Sequence, residues 1–220
     1  SFRLHQGQVV RQARIPLVGV FNVENVLAAM LLAADCLAMD PFDLIPHLGG
    51  LKSVKGRMLV VDEGQEFTVV VDYAHTPGAF QKVLPAMKAS CAGRLIVVFG
   101  SGGERDREKR PIQGKLAADY ASVIILANED PRLEDPMRIL EEIRAGIPQA
   151  EGGPLVELIP ERDAAVRRAC ELARPGDLVA LLGKGHEQSI IKADGKQPWD
   201  EESAARQALR QIMKHRKETR

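Results

Sequence analysis

The sequence predicts an α/β fold, in which a Rossmann-like, mostly parallel sheet carries helices on both faces. From Met58 onward, short apolar runs alternate with amphipathic stretches, the order that parallel strands joined by helices produce. Polar turns that contain glycine follow several of these runs, as they do at the ligand-binding edge of such sheets. The residues before Met58 have a different pattern and predict a separate N-terminal region.

The N-terminal region is predicted to contain two short strands and two helices. Ser1–Arg14 forms the strands, and an amphipathic helix runs from Phe21 to about Met39. Asp40-Pro41 begins a second, short helix, which Gly49-Gly50 ends. Leu51–Arg57 is predicted to be the linker to the sheet.

The predicted strands of the second region are short runs rich in Val, Ile and Leu. They are Met58–Asp62, Phe67–Asp72, Leu95–Phe99, Val123–Leu126, Leu155–Ile159, Leu178–Leu182 and Ser189–Lys192. The predicted helices repeat apolar residues at three- and four-residue spacing. They are Gly78–Ser90, Gln113–Tyr120, Pro136–Ala145, Glu161–Ala173 and Glu201–Lys214.

Composition argues against several kinds of partner. The 220 residues include 30 basic and 30 acidic ones, so the formal net charge is zero and predicts no general attraction to nucleic acid. The longest apolar run, Val26–Ala34, is shorter than the ~20 residues that span a bilayer, so no membrane contact is expected. Cys36, Cys91 and Cys170 lack Cys-x-x-Cys spacing, which predicts buried thiols in a reducing, cytoplasmic compartment.

The loop after the predicted strand Leu95–Phe99 is the first candidate site. Gly100 ends the strand, Gly102 and Gly103 permit unusual backbone angles, and seven charged residues follow over Glu104–Arg110. Loops of this kind bind anions at the edge of α/β sheets. The alternative is a solvated surface loop.

Polar clusters follow three further predicted strands. Asp72 ends the second strand and His75 follows it, and both are candidates for contact with a nucleotide. The alternative is that Asp72 and Thr76 cap the next helix. Glu129–Arg132 offers an arginine fork for a carboxylate and acids for an ammonium group. Gly183–Glu187 places a lysine between two glycines, a weak signal by itself. Since carboxyl ends of parallel strands share one edge, we expect all these clusters to converge on one cleft.

Taken in order, these motifs resemble the ATP-dependent Mur ligases. The matching stretches cover nearly the whole chain and are jointly specific. They are Gly19-Val-Phe-Asn-Val-Glu-Asn25, Gly56-Arg57, Asp72-Tyr-Ala-His-Thr-Pro77, Phe99-Gly-Ser-Gly-Gly-Glu-Arg-Asp106, Lys109-Arg-Pro111, Asp130-Pro-Arg132 and Gly183-Lys-Gly-His-Glu187.

The resemblance implies a fragment of a three-domain enzyme. Residues 1–53 would be the C-terminal end of the central ATP-binding domain, and residues 54–220 the C-terminal Rossmann-like domain. The N-terminal domain and the central phosphate loop are expected to lie outside this sequence, which contains no Gly-x-x-x-x-Gly-Lys-Ser/Thr pattern.

The resemblance also implies the reaction. ATP, with Mg²⁺, would phosphorylate a carboxylate of UDP-N-acetylmuramoyl-L-alanyl-D-glutamate, a precursor of peptidoglycan. The amine of a diamino acid would then attack the acyl phosphate and release phosphate, leaving an amide. A carboxylate is a poor electrophile, and phosphorylation supplies the leaving group that the reaction needs.

Residue roles are carried over from the family motifs. Arg57, near the terminal phosphate, and His75 are the expected catalytic residues. The expected nucleotide-binding residues are Asn22, Asn25, Arg57, Asp72 and Tyr73. The expected residues for the incoming amino acid are Arg105, Asp130, Arg132, Gly183 and Glu187. No metal ligand is expected in this chain, and for both asparagines helix capping is the alternative.

The identity of the amino acid depends on Glu129-Asp-Pro-Arg132, where the diaminopimelate-adding members of the family usually have Asp-Asn-Pro-Arg. Arg132 favours meso-diaminopimelate, which has a second carboxylate, whereas the acceptor-only Asp130 leaves lysine or ornithine open. Two other functions also remain open at this point. The chain could be a binding module without catalysis, or part of another amide ligase such as a folylpolyglutamate synthetase.

Overall fold

The computed structural model describes residues 1–17 and 19–218. Contacts divide the chain into two compact units, Ser1–Val54 and Lys55–Arg220. Which domain of a longer protein the first unit belongs to stays a prediction.

The N-terminal unit is a hairpin with two helices. Strands β1 (Phe2–Gln6) and β2 (Val9–Ala13) pair antiparallel, and helix α1 (Val20–Leu37) precedes a 3-10 helix over Pro41–Gly50. The side chain of Asp40 caps the 3-10 helix by accepting from the backbone of Phe42. Buried apolar residues from all these elements form one small core: Leu4, Ala13, Val26, Met30 and Leu48.

Helix α1 corrects the expectation that no segment reaches the length of a membrane span. Its 18 residues are long and apolar enough to cross a membrane, judged by length and composition alone. Val26, Met30 and Ala34 are buried on one side of α1, whereas Leu31 and Leu32 are exposed on the other. The core helix of a globular protein has the same length and composition, so these two properties do not distinguish the two cases.

The second unit contains a six-stranded sheet in the order β3-β4-β8-β5-β6-β7. Strand β3 is antiparallel to β4, and all other neighbours in this sheet are parallel. The strands are β3 (Leu59–Val61), β4 (Thr68–Asp72), β5 (Leu95–Phe99), β6 (Val123–Leu126), β7 (Leu155–Leu158) and β8 (Leu178–Leu182). The predicted α/β class with a mostly parallel sheet is therefore confirmed.

Helices cover both faces of this sheet. Alternate strand residues point to opposite sides, and because the central strands are apolar throughout, both faces need to be buried. The helices are α2 (Pro77–Ser90), α3 (Lys109–Ala118), α4 (Pro136–Arg144), α5 (Arg162–Leu172) and α6 (Glu201–Glu218). On one face, α5 and α6 pack in a core with strand residues such as Val98 and Val179. On the other, α3 contacts α2 and α4, and the Phe80 ring of α2 meets Phe99 of β5 edge-on at 5.0 Å.

Two predicted elements need correction. Ser189–Lys192 forms β9, but it lies outside the main sheet and pairs antiparallel with β10 (Gly195–Pro198). Strand β10 was missed because it is exposed throughout and has no apolar pattern. Helix α3 begins at Lys109 rather than at Gln113, because a proline in the first turn of a helix breaks no hydrogen bond.

Candidate functional site

The polar clusters that follow β4, β5, β6 and β8 lie at one edge of the sheet, as parallel pairing requires. Direct contacts join them. The backbone of Gly183 donates to the carbonyl of Asp72 at 3.2 Å, and that of Gly103 donates to the carbonyl of Asp130 at 2.8 Å. The predicted convergence on a single edge is therefore confirmed for these four strand ends.

Lys184 lies at the centre of this site. Its side chain is fully buried, and Nζ contacts Asp130 Oδ1 at 2.8 Å and Glu187 Oε2 at 2.6 Å. Asp130 Oδ1 also accepts from the backbone of Ile191 at 2.9 Å. A buried cation needs such compensation. Asp130 accepts hydrogen bonds only, so it was expected to bind an ammonium group of the substrate. In the structure it binds the ammonium group of Lys184 instead.

The glycines on either side of Lys184 let the backbone pass close to Tyr73 and Glu129. Gly183 and Gly185 have φ of +100° and +48°, in the region that side chains disfavour. A Cβ on Gly185 would lie 2.6 Å from the Cβ of Tyr73, and one on Gly183 would lie 2.8 Å from Glu129 Oε2. Close contacts with Tyr73 and Glu129 therefore explain why glycine is required on both sides of this lysine.

Tyr73 joins the lysine cluster to the predicted nucleotide side. Its hydroxyl donates to Glu187 Oε1 at 3.2 Å, and burial, reinforced by the Glu187 charge, raises the pKa of the phenol. The guanidinium of Arg57 lies over the ring, 4.7 Å from its centroid, in a cation–π contact. The ring of His75 is 4.6 Å away, and its Nδ1 is 2.9 Å from the Tyr73 carbonyl oxygen. Three predicted residues, Arg57, Tyr73 and His75, are thus adjacent.

Asp72 is fixed by backbone contacts rather than by a helix cap. Its two carboxylate oxygens accept from the backbones of Met58 and Ala74, both at 2.8 Å, while Thr76 alone caps α2. Burial raises the pKa of Asp72. The capping alternative is therefore wrong for Asp72, and its contact with a ribose stays a prediction.

Two predicted carboxylate-binding arginines have no carboxylate partner in the described part of the chain. Arg105 is exposed and contacts only the carbonyl of Glu104, at 3.4 Å. Arg132 has φ of +54°, and its Nε is buried without a hydrogen-bond partner. Both forks are available to a ligand.

Buried side-chain polar atoms without a partner concentrate at this edge. Within residues 1–17 and 19–218 they belong to five residues, namely Ser101, Arg110, Gln113, Glu129 and Arg132. Unpaired buried groups are rare in folded proteins, and a ligand or ordered water usually satisfies them. Glu129 Oε2 is one such atom, and burial raises the pKa of its carboxyl against the opposing charges of Lys109 and Arg162.

Asn22 and Asn25 belong to the N-terminal unit, and their positions argue against capping. Gly19 is the N-cap of α1, with no side-chain cap bond, so neither asparagine is the cap. Asn25 Nδ2 instead donates to Asn22 Oδ1 at 3.4 Å. Their predicted contact with adenine stays a prediction.

Sequence reasoning gave no role to several residues of this edge. Lys184 was noted as a cation between glycines, but nothing in the sequence showed that two acids would enclose it. Arg162 and Glu201 form a fully buried ion pair that no motif indicated. Their separation in sequence is too large for a spacing rule, so only the fold brings them together.

Comparison with known proteins identifies similar chains. The family described as "Mur ligase, glutamate ligase domain" matches residues 56–185. A UDP-N-acetylmuramyl-tripeptide synthetase from Treponema denticola is 48% identical over 89% of this chain and 37% of its own length. A UDP-N-acetylmuramoyl-L-alanyl-D-glutamate–2,6-diaminopimelate ligase from Coxiella burnetii is 44% identical over 88% of this chain and 39% of its own.

A solved structure agrees with these relatives. A structure of a UDP-N-acetylmuramoyl-L-alanyl-D-glutamate–2,6-diaminopimelate ligase superimposes with a TM-score of 0.71 and 36% identity, over 96% of this chain and 42% of that one. The chain thus spans about two fifths of the length of the curated relatives it matches.

Proposed function

The chain belongs to the Mur ligase family, and we propose that it provides the amino-acid site of an ATP-dependent amide ligase that builds peptidoglycan precursors. The observation that carries the proposal is the pair of arginines without carboxylate partners, Arg105 and Arg132, on contacting loops. Arginine forks bind carboxylates through paired hydrogen bonds.

The free charges of the site favour meso-diaminopimelate over lysine and ornithine. Diaminopimelate has two carboxylates, one for each unpaired arginine, whereas lysine and ornithine have one. Asp130 is already paired with Lys184, so its charge adds little attraction for a further ammonium group. The buried carboxyl of Glu129, near Gly183, is the acid left to receive an ammonium group of the substrate.

In the proposed reaction, the second substrate is UDP-N-acetylmuramoyl-L-alanyl-D-glutamate, activated as an acyl phosphate at the expense of ATP. Arg57, stacked on Tyr73, is an exposed residue whose guanidinium suits a phosphate, and His75 contacts the same Tyr73 ring. The roles of Asn22 and Asn25 toward adenine follow the same assignment. Glu187 and Gly183 would shape the amino-acid pocket.

The proposal assigns no side chain of this chain to Mg²⁺. Among the described residues, no group of three or more His, Cys, Asp or Glu side chains is arranged to hold a metal ion. In this proposal the ion is held by other parts of the ligase. The three cysteines are free thiols, which is consistent with a cytoplasmic location. Their predicted burial is wrong for Cys36, which is exposed, and correct for Cys170.

An amino-acid panel tests the proposal. The full-length protein is supplied with ATP, Mg²⁺ and UDP-N-acetylmuramoyl-L-alanyl-D-glutamate, and phosphate release is measured with meso-diaminopimelate, lysine, ornithine or glutamate. We expect turnover with diaminopimelate to exceed the others. Faster turnover with lysine or ornithine would overturn the choice of amino acid. A parallel assay replaces this acceptor with a folate. Activity only with the folate and glutamate, or binding without turnover, would overturn the proposed reaction.

A further inference from the structure

We infer that Arg110 is a positioning residue for two loops, the one after β5 that contains Arg105 and the one after β6 that contains Arg132. It holds both loops in the geometry that binds the amino acid. The inference rests on the proposed function, because it assigns those two loops to the amino acid. Arg110 lies in the first turn of α3, and the family motif that contains it, Lys109-Arg-Pro111, has received no role so far.

The side chain of Arg110 is fully buried at the point where two loops and a helix meet. Its two terminal nitrogens bind Glu134 bidentately, at 2.9 and 3.0 Å. Nη1 also binds Glu142 of α4 at 2.7 Å, and Nη2 donates to the carbonyl of Gly102 at 3.1 Å. One guanidinium therefore ties the loop after β5 to the loop after β6 and to α4.

The two loops also contact each other directly. The backbone of Gly103 donates to the carbonyl of Asp130 at 2.8 Å, and that of Glu104 donates to Glu134 Oε1 at 2.5 Å. A Cβ on Gly103 would lie 2.0 Å from the carbonyl oxygen of Pro131, so only glycine fits where the two loops contact each other. A change in one loop must therefore be accommodated by the other.

Backbone strain explains why the loops need such a restraint. Glu104 and Arg132 have φ of +53° and +54°, although neither is glycine. Residues with side chains adopt this region at a cost in free energy and keep it where surrounding contacts impose it. Each strained residue lies two positions from a group that Arg110 binds: Glu104 follows Gly102, and Arg132 precedes Glu134. Relaxation would therefore reorient both substrate arginines.

Loss of Arg110 should leave the fold intact, because its two carboxylate partners reach solvent. The side chains of Glu134 and Glu142 are 20% and 25% exposed, and Glu142 also pairs with Arg107 and Arg138. Without Arg110 these carboxylates can be hydrated. The nearby contact of Arg138 with Glu142, at 3.3 Å, gives a matched control, since Arg138 is 65% exposed and both residues of this ion pair lie on α4.

The experiment compares Arg110→Met, Arg110→Lys and the control Arg138→Met in the full-length protein. We expect Arg110→Met to raise the KM for diaminopimelate at least tenfold while the KM for ATP changes less than twofold. Arg110→Lys should be intermediate, because a lysine keeps the charge but cannot make the bidentate contact. Arg138→Met should match the wild type.

Hydrogen exchange supplies a readout that does not depend on activity. We expect faster amide exchange in Arg110→Met over residues 100–108 and 129–135, with the strands unchanged. Unchanged exchange there, or equal changes in both KM values, would overturn the inference. If the wild type uses no diamino acid while exchange still rises in both loops, the proposed function fails and the restraint on the loops stands.

Discussion

Breaking the buried Arg162–Glu201 ion pair should destabilise the second unit strongly. Both side chains are fully buried, and Arg162 contacts Glu201 through Nε and Nη2 at distances of 2.8 to 3.1 Å. Arg162 also donates to the carbonyls of Asn128 and Leu182, which directly precede Glu129 and Gly183. The pair therefore links α5 and α6 to two strand ends that form the candidate site.

The expected magnitude follows from what each substitution leaves behind. Arg162→Met leaves the buried carboxylate of Glu201 without its ion-pair partner. Breaking such a pair lowers the free energy of unfolding by about 3–5 kcal/mol. For a chain of this size that corresponds to a fall in Tm of roughly 6–20 °C. Arg162→Met combined with Glu201→Leu removes both charges, so it should recover part of the loss. Recovery should be incomplete, because the carbonyls of Asn128 and Leu182 lose a donor.

Unfolding in guanidinium chloride measures these differences. The chain has one tryptophan, Trp199, whose Nε1 donates to Glu201 Oε2 at 2.6 Å, so its fluorescence reports on this region while circular dichroism follows the whole chain. The control is Arg168→Met on α5, whose ion pair with Glu157 is partly exposed and should contribute less than about 1 kcal/mol. If Arg162→Met were no more destabilising than Arg168→Met, the reasoning would be refuted.

Three further predictions concern the site and acid stability. Tyr73→Phe keeps the ring but loses the hydroxyl hydrogen bond, and should cost about 0.5–1.5 kcal/mol in the same unfolding assay; a neutral result would contradict the contact. Gly185→Ala should lose about 1–3 kcal/mol through its close contact and positive φ, whereas Gly78→Ala, in open space on α2, should not destabilise. Hydrogen bonds from Arg110 lower the pKa of Glu134 from 4.5 to about 2, so this stabilisation is complete above pH 4.5 and lost as pH falls toward 2. An acid-unfolding curve that Glu134→Gln left unchanged would argue against that contribution.

The sheet was predictable because its signals are local. The bounds of β5, β6 and β8 agree with the predicted runs Leu95–Phe99, Val123–Leu126 and Leu178–Leu182. These strands are buried on both faces, so each is a continuous apolar run. Such a run is recognisable in the sequence without knowledge of the neighbouring strands. Strand β10 gave no such signal, since its exposed residues are held by pairing with β9 alone.

The position of the candidate site was predictable, but its internal contacts were not. Parallel pairing alone places the four strand ends together. Which charges neutralise each other there depends on side-chain placement, and Asp130 shows the consequence. From sequence it was a candidate for a substrate ammonium group, whereas its carboxylate binds Lys184. The contacts of Arg110 were likewise not predictable from the sequence, because the packing of α3 against α4 brings its partners Glu134 and Glu142 near.

The central claim is that Arg132 binds a carboxylate of the incoming amino acid. The most direct test is steady-state kinetics of Arg132→Ala in the full-length protein, with diaminopimelate and ATP varied in turn. Because the guanidinium has no ion-pair partner among the described residues, its loss should affect the ligand and leave the fold intact. We expect the KM for diaminopimelate to rise at least tenfold, about 1.4 kcal/mol of lost binding, and the KM for ATP to remain nearly unchanged. Equal effects on both substrates would contradict it.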